Sequence, residues 1–196
     1  LVLDGEFKDG ALHGKGKAIM PNGVVCYDGD FKNDKRDGHG KMTYPDGSVY
    51  DGKWKDNKYH GEGEYKFGKG AYNGDVYVGE WKDDEKYGKG IYKFANGDVY
   101  DGEWKDNKRD GKGTHTFIDG VIIDGEFKDN VLHGKAKVIM PNGVVRYDGD
   151  FKNGKCDGNG KYTYPNGSVH VGGWKDDKPH GKGTSTLADG ETIEGK

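Results

Sequence analysis

Apolar and charged residues alternate along the chain in short runs that are separated by turn residues. In the run YDGEWK, from Tyr100 to Lys105, aromatic and glycine positions fall on one face of an extended strand and charged positions on the other. Asp106 and Asn107 follow, and these residue types tolerate the positive φ of tight hairpin turns. A second alternating run then extends to Phe117. The pattern predicts a β-hairpin.

The hairpin pattern recurs along the whole sequence. Near copies begin at Leu3, Tyr27, Tyr50, Tyr77, Tyr100, Ile123, Tyr147 and His170, with a stub from Ile193. Successive copies are 24, 23, 27, 23, 23, 24, 23 and 23 residues apart. Such a period fits one supersecondary unit per copy, each stacked on its neighbours. We therefore predict one continuous repeat array over residues 1–196.

Short connections determine how these hairpins pair. A second turn joins each hairpin to the next, and its clearest forms are PNG at residues 21–23 and PDG at residues 45–47. Because both connections of each repeat are short, neighbouring strands must run antiparallel. The predicted fold is all-β: an elongated, twisted, single-layer antiparallel β-meander built from tandem hairpin repeats of about 23 residues.

A longer internal duplication lies above the single repeat. Residues 3–31 return with few changes as residues 123–151, an offset of 120. The segment 114–125, which leads into the second block, has the same form as 184–195, so a further block is expected to follow. The first residue is Leu1 and not a methionine. We expect the sequence to be a piece of a longer array.

Glycines on the aromatic face suggest how the sheet packs. A strand with alternate glycines offers bare backbone on which a ring from a neighbouring strand can lie. On the return strand, Gly111 and Gly113 are expected to share this face with His115. The predicted structural glycines are Gly52, Gly61, Gly63, Gly102, Gly111 and Gly113.

The aromatic row itself has two interpretations. It can serve only the packing of the sheet, or it can also leave an apolar strip that contacts a ligand, because one layer is not expected to bury a whole face. The candidate partner groove consists of Tyr50, Trp54, Trp81, Tyr100, Trp104 and Phe127. Repeats in the middle of the array are favoured over those at the ends.

Charge and composition exclude several classes of function. Lys alternates with Asp and Glu and the net charge is -3, so no basic stripe for nucleic acid is expected. No apolar run approaches the roughly 18 residues of a membrane span. Cys26 and Cys156 align with arginines in the duplicated block, which argues against a disulfide framework or a zinc site. An intracellular, cytoplasmic location is expected.

No residue pattern indicates catalysis or a cofactor. Histidines that precede the GxG pairs align with aspartates in other repeats, which indicates turn residues and not metal ligands. The acidic turns lack the ligand order of a calcium loop, and the glycine strings precede strands where a phosphate loop needs a helix. No catalytic residue, cofactor site or metal site is predicted.

The repeat resembles that of a known family. A tyrosine, then glycine, then Trp or Phe at alternate positions, followed by Lys, a turn and GxG at a 23-residue step, is similar to the MORN (membrane occupation and recognition nexus) repeat. The resemblance covers essentially the whole chain. Departures are Leu3, Ile123, Ile193 and His170 at the tyrosine position, and Ala136 at a glycine position.

The resemblance implies a non-catalytic scaffold or targeting module. MORN arrays occur in proteins that join membranes to each other or to the cytoskeleton, in phosphatidylinositol phosphate kinases, and ahead of a methyltransferase domain. The favoured function is a scaffold that binds protein partners and self-associates as a homodimer through its terminal repeats, with a cytoskeletal or membrane-associated location.

The sequence leaves two alternative functions open. A module that binds acidic phospholipids, phosphoinositides in particular, would need a basic cluster that the interleaved charges do not indicate. A carbohydrate- or choline-binding aromatic array is chemically suited to stacked rings but normally implies secretion. Residues 67–75 lengthen one connection by about four residues, as either a simple surface bulge or a kink that marks a recognition point.

Overall fold

The chain forms antiparallel strands joined by turns. The computed structural model describes residues 1–195, which contain 17 strands: β1 Val2–Lys8, β2 Ala11–Ile19, β3 Val25–Lys32, β4 Lys35–Thr43, β5 Val49–Lys55, β6 Lys58–Lys66, β7 Val76–Lys82, β8 Glu85–Lys93, β9 Val99–Lys105, β10 Lys108–Thr116, β11 Ile122–Lys128, β12 Val131–Ile139, β13 Val145–Lys152, β14 Lys155–Thr163, β15 Val169–Lys175, β16 Lys178–Thr186 and β17 Thr192–Gly195.

The chain divides into two compact units. The first unit holds residues 1–97 and 104–107, and in it β1 to β8 pair in chain order, each strand antiparallel to the next. The second holds residues 98–103 and 108–195, and β10 to β17 pair there in the same way. The prediction of an all-β antiparallel meander of hairpin repeats is confirmed.

Positive-φ turns close the hairpins as the sequence predicts. Asp106 and Asn107 have φ values of 50° and 66°, and Asp9 and Gly10 have values of 50° and 80°. Two consecutive residues with positive φ give a turn whose twist matches that of the flanking strands. Aspartate, asparagine and glycine are therefore favoured here by backbone conformation, since most other residues would be strained.

A β-bulge in each return strand corrects one prediction about the glycines. In β5–β6, Gly52 pairs with Gly63 but Trp54 pairs with Tyr59, so extra residues are accommodated on the return strand. Gly61 lies in this bulge with φ of 70°, and a side chain there would point at Lys53 on the charged face. In the second unit a side chain at Gly111 would likewise meet Glu103. Gly61 and Gly111 therefore do not lie under the aromatic rings, because the bulge turns them to the opposite face.

Bulges also explain the two 24-residue steps. Ala18 pairs with Tyr27 and Ile19 with Val25, which leaves Cys26 as an extra residue in β3. Arg146 is the corresponding extra residue in β13. One added residue at the strand entrance thus lengthens the repeat without shifting the strand register beyond it.

Candidate partner-binding face

Buried rings form an inner layer on the aromatic face of the first unit. Tyr50 makes edge-to-face contacts with Trp54, at 5.1 Å between ring centroids, and with Trp81 of the next repeat, at 5.7 Å. The same geometry recurs from repeat to repeat, so one chain of contacts runs through Phe31, Tyr27, Trp54, Tyr50, Trp81, Tyr77 and Trp104. Edge-to-face pairs of this kind each contribute about 0.5–1.5 kcal/mol beyond burial.

We call the first residue of each repeat its leading residue. Where this residue is a tyrosine, it lies over a pair of glycines, one on its own strand and one on the partner strand. A Cβ added at Gly63 would be 2.5 Å from the Tyr50 hydroxyl oxygen, and one added at Gly52 would be 2.8 Å from it. The Tyr50 hydroxyl donates a hydrogen bond of 2.7 Å to the carbonyl oxygen of Lys53. Burial raises the pKa of Tyr50. The predicted covering of glycines by rings is thus made by the leading tyrosine.

The indole of each tryptophan also has a fixed polar partner. The Trp54 Nε1–H group donates to the carbonyl oxygen of Gly40 at 2.8 Å, and Trp81 donates to Gly63 at 3.2 Å. In the second unit, Trp174 donates to Gly160 at 3.2 Å. These bonds join each tryptophan to the return strand of the preceding repeat, so the rings fix the stacking of neighbouring hairpins.

The six residues of the predicted groove are all buried. Their exposed fractions are 0% for Tyr50 and Tyr100, 4% for Trp54 and 6% for Trp81, Trp104 and Phe127. The expectation of an open aromatic strip is therefore corrected: these rings belong to the core of the sheet. Contact of these residues with a partner stays a prediction, and any partner would reach them through the side chains that cover them.

An outer layer of side chains covers the inner rings in the first unit. The second residue of each return strand pairs with the Phe or Trp of its hairpin: Arg36 with Phe31, Tyr59 with Trp54, and Lys86 with Trp81. We use "outer layer" for these residues and their neighbours on the same face, all partly exposed: Arg36, Tyr44, Tyr59, Tyr65, Phe67 and Lys86. Sequence reasoning missed this layer, although the position stands out as the variable one within an otherwise regular repeat.

Tyr59 shows how the outer layer packs. Its ring stacks on Tyr50 with centroids 3.8 Å apart and meets Trp54 and Trp81 at 4.9 and 5.2 Å. The hydroxyl groups of Tyr44 and Tyr59 are hydrogen-bonded to each other. Burial, followed by this bond, raises the pKa of the Tyr59 hydroxyl. Two ring layers therefore replace the second sheet that a β-sandwich would supply.

Lys86 occupies an aromatic cage in the same layer. Its ammonium nitrogen lies 4.4 Å from the ring centroid of Tyr92, 4.9 Å from Trp104, 5.4 Å from Tyr77 and 5.5 Å from Phe67. Burial lowers the pKa of Lys86 to about 8, although Asp75 acts in the opposite direction. The quadrupoles of the rings compensate part of the hydration that the cation loses on burial.

Arg36 is held on the rings in a comparable way. Its guanidinium carbon is 4.2 Å from the centroid of Trp54 and 5.8 Å from that of Tyr27. In the second unit, Arg109 occupies the equivalent position, 5.2 Å from Phe127 and 5.5 Å from Tyr100. A planar guanidinium suits such stacking because it keeps its N–H edges available for hydrogen bonds.

The inserted connection of residues 67–75 is fastened to the array. The Gly68 N–H donates to the Ser48 hydroxyl at 2.9 Å, and the Lys69 N–H donates to the Asp46 carbonyl at 2.8 Å. At its other end, Asp75 is buried and accepts hydrogen bonds from the Tyr92 hydroxyl and the Ala95 N–H. The insertion thus lies against the preceding turn, and its first residue, Phe67, forms one wall of the Lys86 cage.

Asparagine and aspartate side chains at the hairpin tips form a second link between repeats. Asn57 accepts a hydrogen bond of 2.9 Å from the Arg36 N–H through Oδ1, while its own N–H donates to the Arg36 carbonyl at 3.0 Å. Equivalent side-chain bonds join Asp34 to Leu12, Asp84 to Tyr59, Asn107 to Lys86, Asn130 to Arg109 and Asp177 to Cys156. Gly154, at the same position, keeps only the backbone bond to Leu132. We call this series the tip ladder.

The opposite face carries paired charges, as the sequence predicts. Lys15 lies 2.6 Å from Asp30 and Lys17 lies 3.3 Å from Asp28, and the duplicated block repeats both pairs in the second unit. Although partial burial acts to raise it, the bonds from Lys15 and the His39 N–H hold the pKa of Asp30 below its usual value. Exposed pairs of this kind contribute only about 0–1 kcal/mol each.

Two absences apply to residues 1–195. Within this range, no group of three or more His, Cys, Asp or Glu side chains is arranged to hold a metal ion. Over the same residues, no helix has the length and apolar character needed to cross a bilayer.

Solved structures with a similar fold are remote in sequence, and no curated protein matches the chain. The G-box domain of the microcephaly protein CPAP is 14% identical, with a TM-score of 0.51 over 93% of this chain and 99% of that chain. The TCP10 domain of CPAP from Danio rerio is 13% identical, with a TM-score of 0.45 over 92% and 83% of the two chains. The TCP domain of SAS-4 from Drosophila Melanogaster, in complex with a proline-rich motif of Ana2, is 15% identical, with a TM-score of 0.47 over 81% and 84%. The first of these likenesses supports the fold alone.

The family itself follows from the repeats. The MORN repeat model matches residues 4–25, 27–49, 50–72, 77–99, 100–122, 124–145, 147–169 and 170–192. These are the hairpins in which a leading residue, a bulge glycine and a tip ladder recur. The chain therefore belongs to the MORN repeat family, a family of non-catalytic repeats.

Proposed function

We propose that this chain is a protein-binding scaffold that holds an extended segment of a partner against the outer layer of its aromatic face. The observation that carries the proposal is the presence of four partly exposed aromatic side chains, Tyr44, Tyr59, Tyr65 and Phe67, on one face of the first unit. Aromatic-lined surfaces are a recurring means of holding extended peptides. Aromatic residues are also enriched in protein interfaces.

The packing of the outer layer supports this role. The rings of Tyr65 and Phe67 are 4.7 Å apart, and Tyr65 also lies 6.0 Å from Tyr59. The outer layer packs against the inner rings, as Tyr59 does against Tyr50, Trp54 and Trp81. It is therefore held in place before a partner binds. A preorganised surface loses less conformational entropy on binding.

The proposal extends to the setting of the protein. MORN arrays occur where proteins meet the cytoskeleton or a membrane, so we propose an intracellular, cytoplasmic scaffold that links partners at these places. Self-association as a homodimer through the terminal repeats is part of the same proposal. Sedimentation velocity over a range of concentrations tests it, and a single monomeric species at all concentrations would exclude it.

The binding face is tested by selecting binders from a displayed library of random peptides about twelve residues long. Tyr44→Ala and Tyr65→Ala remove outer-layer rings, and Ala18 occupies the position of Tyr65 in the first repeat. Thr43→Ala and Lys66→Ala are matched controls, because these neighbouring residues lie on the opposite face. We expect the ring variants to lose most of the selected peptides and the controls to retain them. Equal retention by all four variants would contradict the proposal.

A vesicle assay separates the scaffold from the lipid-binding alternative. The full chain is sedimented at physiological salt with vesicles that contain phosphoinositides and, in parallel, with neutral vesicles. The scaffold proposal predicts no selective pelleting. Selective pelleting that survives Tyr44→Ala and Tyr65→Ala would assign membrane binding to another surface of the chain.

A further inference from the structure

Two cations on the aromatic face of the first unit have no ion-pair partner within residues 1–195. Arg36 and Lys86 lie on rings, and among the residues that the structure describes no carboxylate lies within 4.0 Å of either charged group. On the charged face, by contrast, Lys15 and Lys17 each pair with an aspartate. The two faces of the unit therefore differ in how their positive charges are compensated.

The polar groups around Arg36 leave part of the guanidinium without a strong acceptor. Nη2 donates to the Asn57 carbonyl at 3.1 Å and Nε donates to Asn57 Oδ1 at 3.3 Å. Within the described part of the chain, the hydrogen-bond partner of Nη1 is the sulfur of Met42, at 3.8 Å. Because sulfur is a weak acceptor, this N–H edge of Arg36 is available to an incoming carboxylate.

Lys86 is available to an incoming anion for a different reason. The carboxylate that most affects it, Asp75, is already bound by the Tyr92 hydroxyl at 2.5 Å and by the Ala95 N–H at 2.7 Å. Ring faces attract the ammonium group but accept no conventional hydrogen bond from its three N–H donors. An anion that approaches the cage from solvent would add the acceptor that Lys86 lacks.

Strand spacing sets the distance between the two cations. Arg36 is in β4 and Lys86 is in β8, four strands along a continuous series of pairings. At about 4.8 Å per strand the two positions are roughly 19 Å apart. A peptide laid across the strands covers this distance in about six residues, whether extended or in polyproline II conformation. In both conformations, residues six apart point to the same side.

We propose that the aromatic face of the first unit binds an extended peptide that carries two carboxylate side chains six residues apart. This inference rests on the proposed function. One carboxylate pairs with Arg36 and the other with Lys86. The residues between them are apolar or proline and lie over Tyr59 and Tyr65. The aromatic rings supply contact area, while the two cations set the register and the acidic character of the partner.

The arrangement favours an acidic peptide over a lipid surface. Membrane attachment through charge relies on clusters of Lys and Arg, each of which contributes about 1 kcal/mol. Here two half-buried cations stand far apart with rings between them, and the lysines at the hairpin tips include pairs with aspartate, such as Lys35 with Asp56 at 2.8 Å. A peptide with spaced carboxylates matches this pattern.

The test compares charge removal on the two faces of the full chain. Arg36→Leu/Lys86→Leu removes both aromatic-face cations, and leucine occupies the same position as Leu12 and Leu132 in other repeats. Lys41→Gln/Lys89→Gln removes two charges from exposed residues of the opposite face. Lys86→Arg keeps the charge and introduces the residue found at Arg36 and Arg109. Thermal unfolding of each variant verifies that it is folded.

Peptides selected on the unmodified chain are then synthesised, together with versions in which Gln replaces each acidic residue. We expect enrichment of Asp or Glu pairs six residues apart and at least about tenfold weaker binding to Arg36→Leu/Lys86→Leu. Binding to Lys41→Gln/Lys89→Gln and to Lys86→Arg should change by less than about threefold. The Gln peptides should bind the unmodified chain as weakly as the acidic peptides bind the double leucine variant.

Other outcomes overturn the inference in distinguishable ways. Selected peptides without acidic pairs, bound equally by the unmodified chain and by Arg36→Leu/Lys86→Leu, would refute the acidic preference but leave the peptide-binding face intact. Peptides that bind independently of Tyr44 and Tyr65 as well would refute both proposals. Binding of phosphoinositide vesicles that is lost in Arg36→Leu/Lys86→Leu would show that the cations serve a lipid surface, and the peptide assignment would be wrong.

Discussion

The hairpins β5–β6 and β11–β12 solve the same packing problem with different residues. In β5–β6, Tyr50 lies over the paired glycines Gly52 and Gly63. In β11–β12, Ile123 stands at the tyrosine position, and Ala136 replaces the second glycine opposite Gly125. Ala136 is only 4% exposed and belongs to a cluster with Tyr147, Phe151 and Trp174.

The difference shows that tyrosine and glycine act as one unit. A tyrosine ring needs the bare backbone of glycine beneath it, since a Cβ at Gly63 would lie 2.5 Å from the Tyr50 hydroxyl oxygen and 2.7 Å from ring carbons. Isoleucine has no ring that would collide with a Cβ on the opposite strand, so alanine fits at residue 136. The departures from the family pattern at Ile123 and Ala136 are therefore complementary changes in a single hairpin.

Removal of the covering side chain should give the largest difference between the two hairpins. Tyr50→Ala is expected to lower the free energy of unfolding by about 3–5 kcal/mol, because it empties a fully buried site. Ile123→Ala should cost about 1–2 kcal/mol, because Ile123 is only half-buried. Urea titrations of both variants provide the measurement, and equal losses would refute the different roles that we assign to the two residues.

The next test replaces the tyrosine–glycine pair of β5–β6 by the isoleucine–alanine pair found in β11–β12. Gly63→Ala alone should cost about 1–3 kcal/mol, because the new methyl group collides with the Tyr50 ring. In Tyr50→Ile/Gly63→Ala the collision is absent, so a double-mutant cycle should give a favourable coupling of at least about 1 kcal/mol. Ala136→Gly, a control in the other hairpin, should cost about 0.5–1 kcal/mol. Additive effects of the two β5–β6 substitutions would refute the idea of a tyrosine–glycine unit.

The tip ladder offers a smaller comparison between two hairpin tips, Asn57 in β5–β6 and Gly154 in β13–β14. Asn57→Gly keeps the positive φ but removes the hydrogen bond to Arg36, so we expect a loss of about 0.5–1.5 kcal/mol. Gly154→Asn should introduce the missing side-chain bond to Leu132 and stabilise the chain by about 0.5–1 kcal/mol. The midpoints of urea unfolding report both changes. Shifts of the same sign would show that these side chains act only in the local turn.

The charged face should give the smallest effects in either hairpin. Lys53→Ala in β5 and Lys135→Ala in β12 are expected to change the free energy of unfolding by less than about 0.5 kcal/mol. Both residues are exposed, and the Lys135–Asp150 pair at 2.6 Å is a surface ion pair. A loss above about 1 kcal/mol at either position would mean that the stability of the sheet depends on the paired charges of this face as well as on the aromatic rings.

Sequence predicted the parts of this fold that short-range chemistry dictates. Alternation of aromatic and charged residues determines which side of a strand is buried, and Asp106 and Asn107 mark a turn because few other residues adopt their φ values. The repeat then extends one hairpin to the whole array. For these reasons the strands, their order and the row of rings were accessible before the structure.

Features that depend on neighbouring repeats were not accessible in this way. The bulge places Gly61 on the charged face, although simple alternation puts it beneath the rings. Asn57 appears in the sequence as a turn residue, yet its side chain also bonds to Arg36, 21 residues away. Tyr59 covers Trp54 because of a register shift, so the exposure of the candidate groove was overestimated.

The part of each repeat that contains the hairpin tip has a constant length. From each leading residue to the residue that follows its return strand, as from Tyr50 to Phe67 or Tyr77 to Phe94, the numbering always advances by 17. The extra residues lie between each return strand and the next leading residue: Cys26 and Arg146 at the entrances of β3 and β13, and about four residues within 67–75. The part of each repeat that contains the hairpin tip thus keeps a constant length, while the connection to the next repeat accepts extra residues. An engineer who wishes to graft a binding loop should choose a connection opposite the hairpin tips, such as residues 94–98.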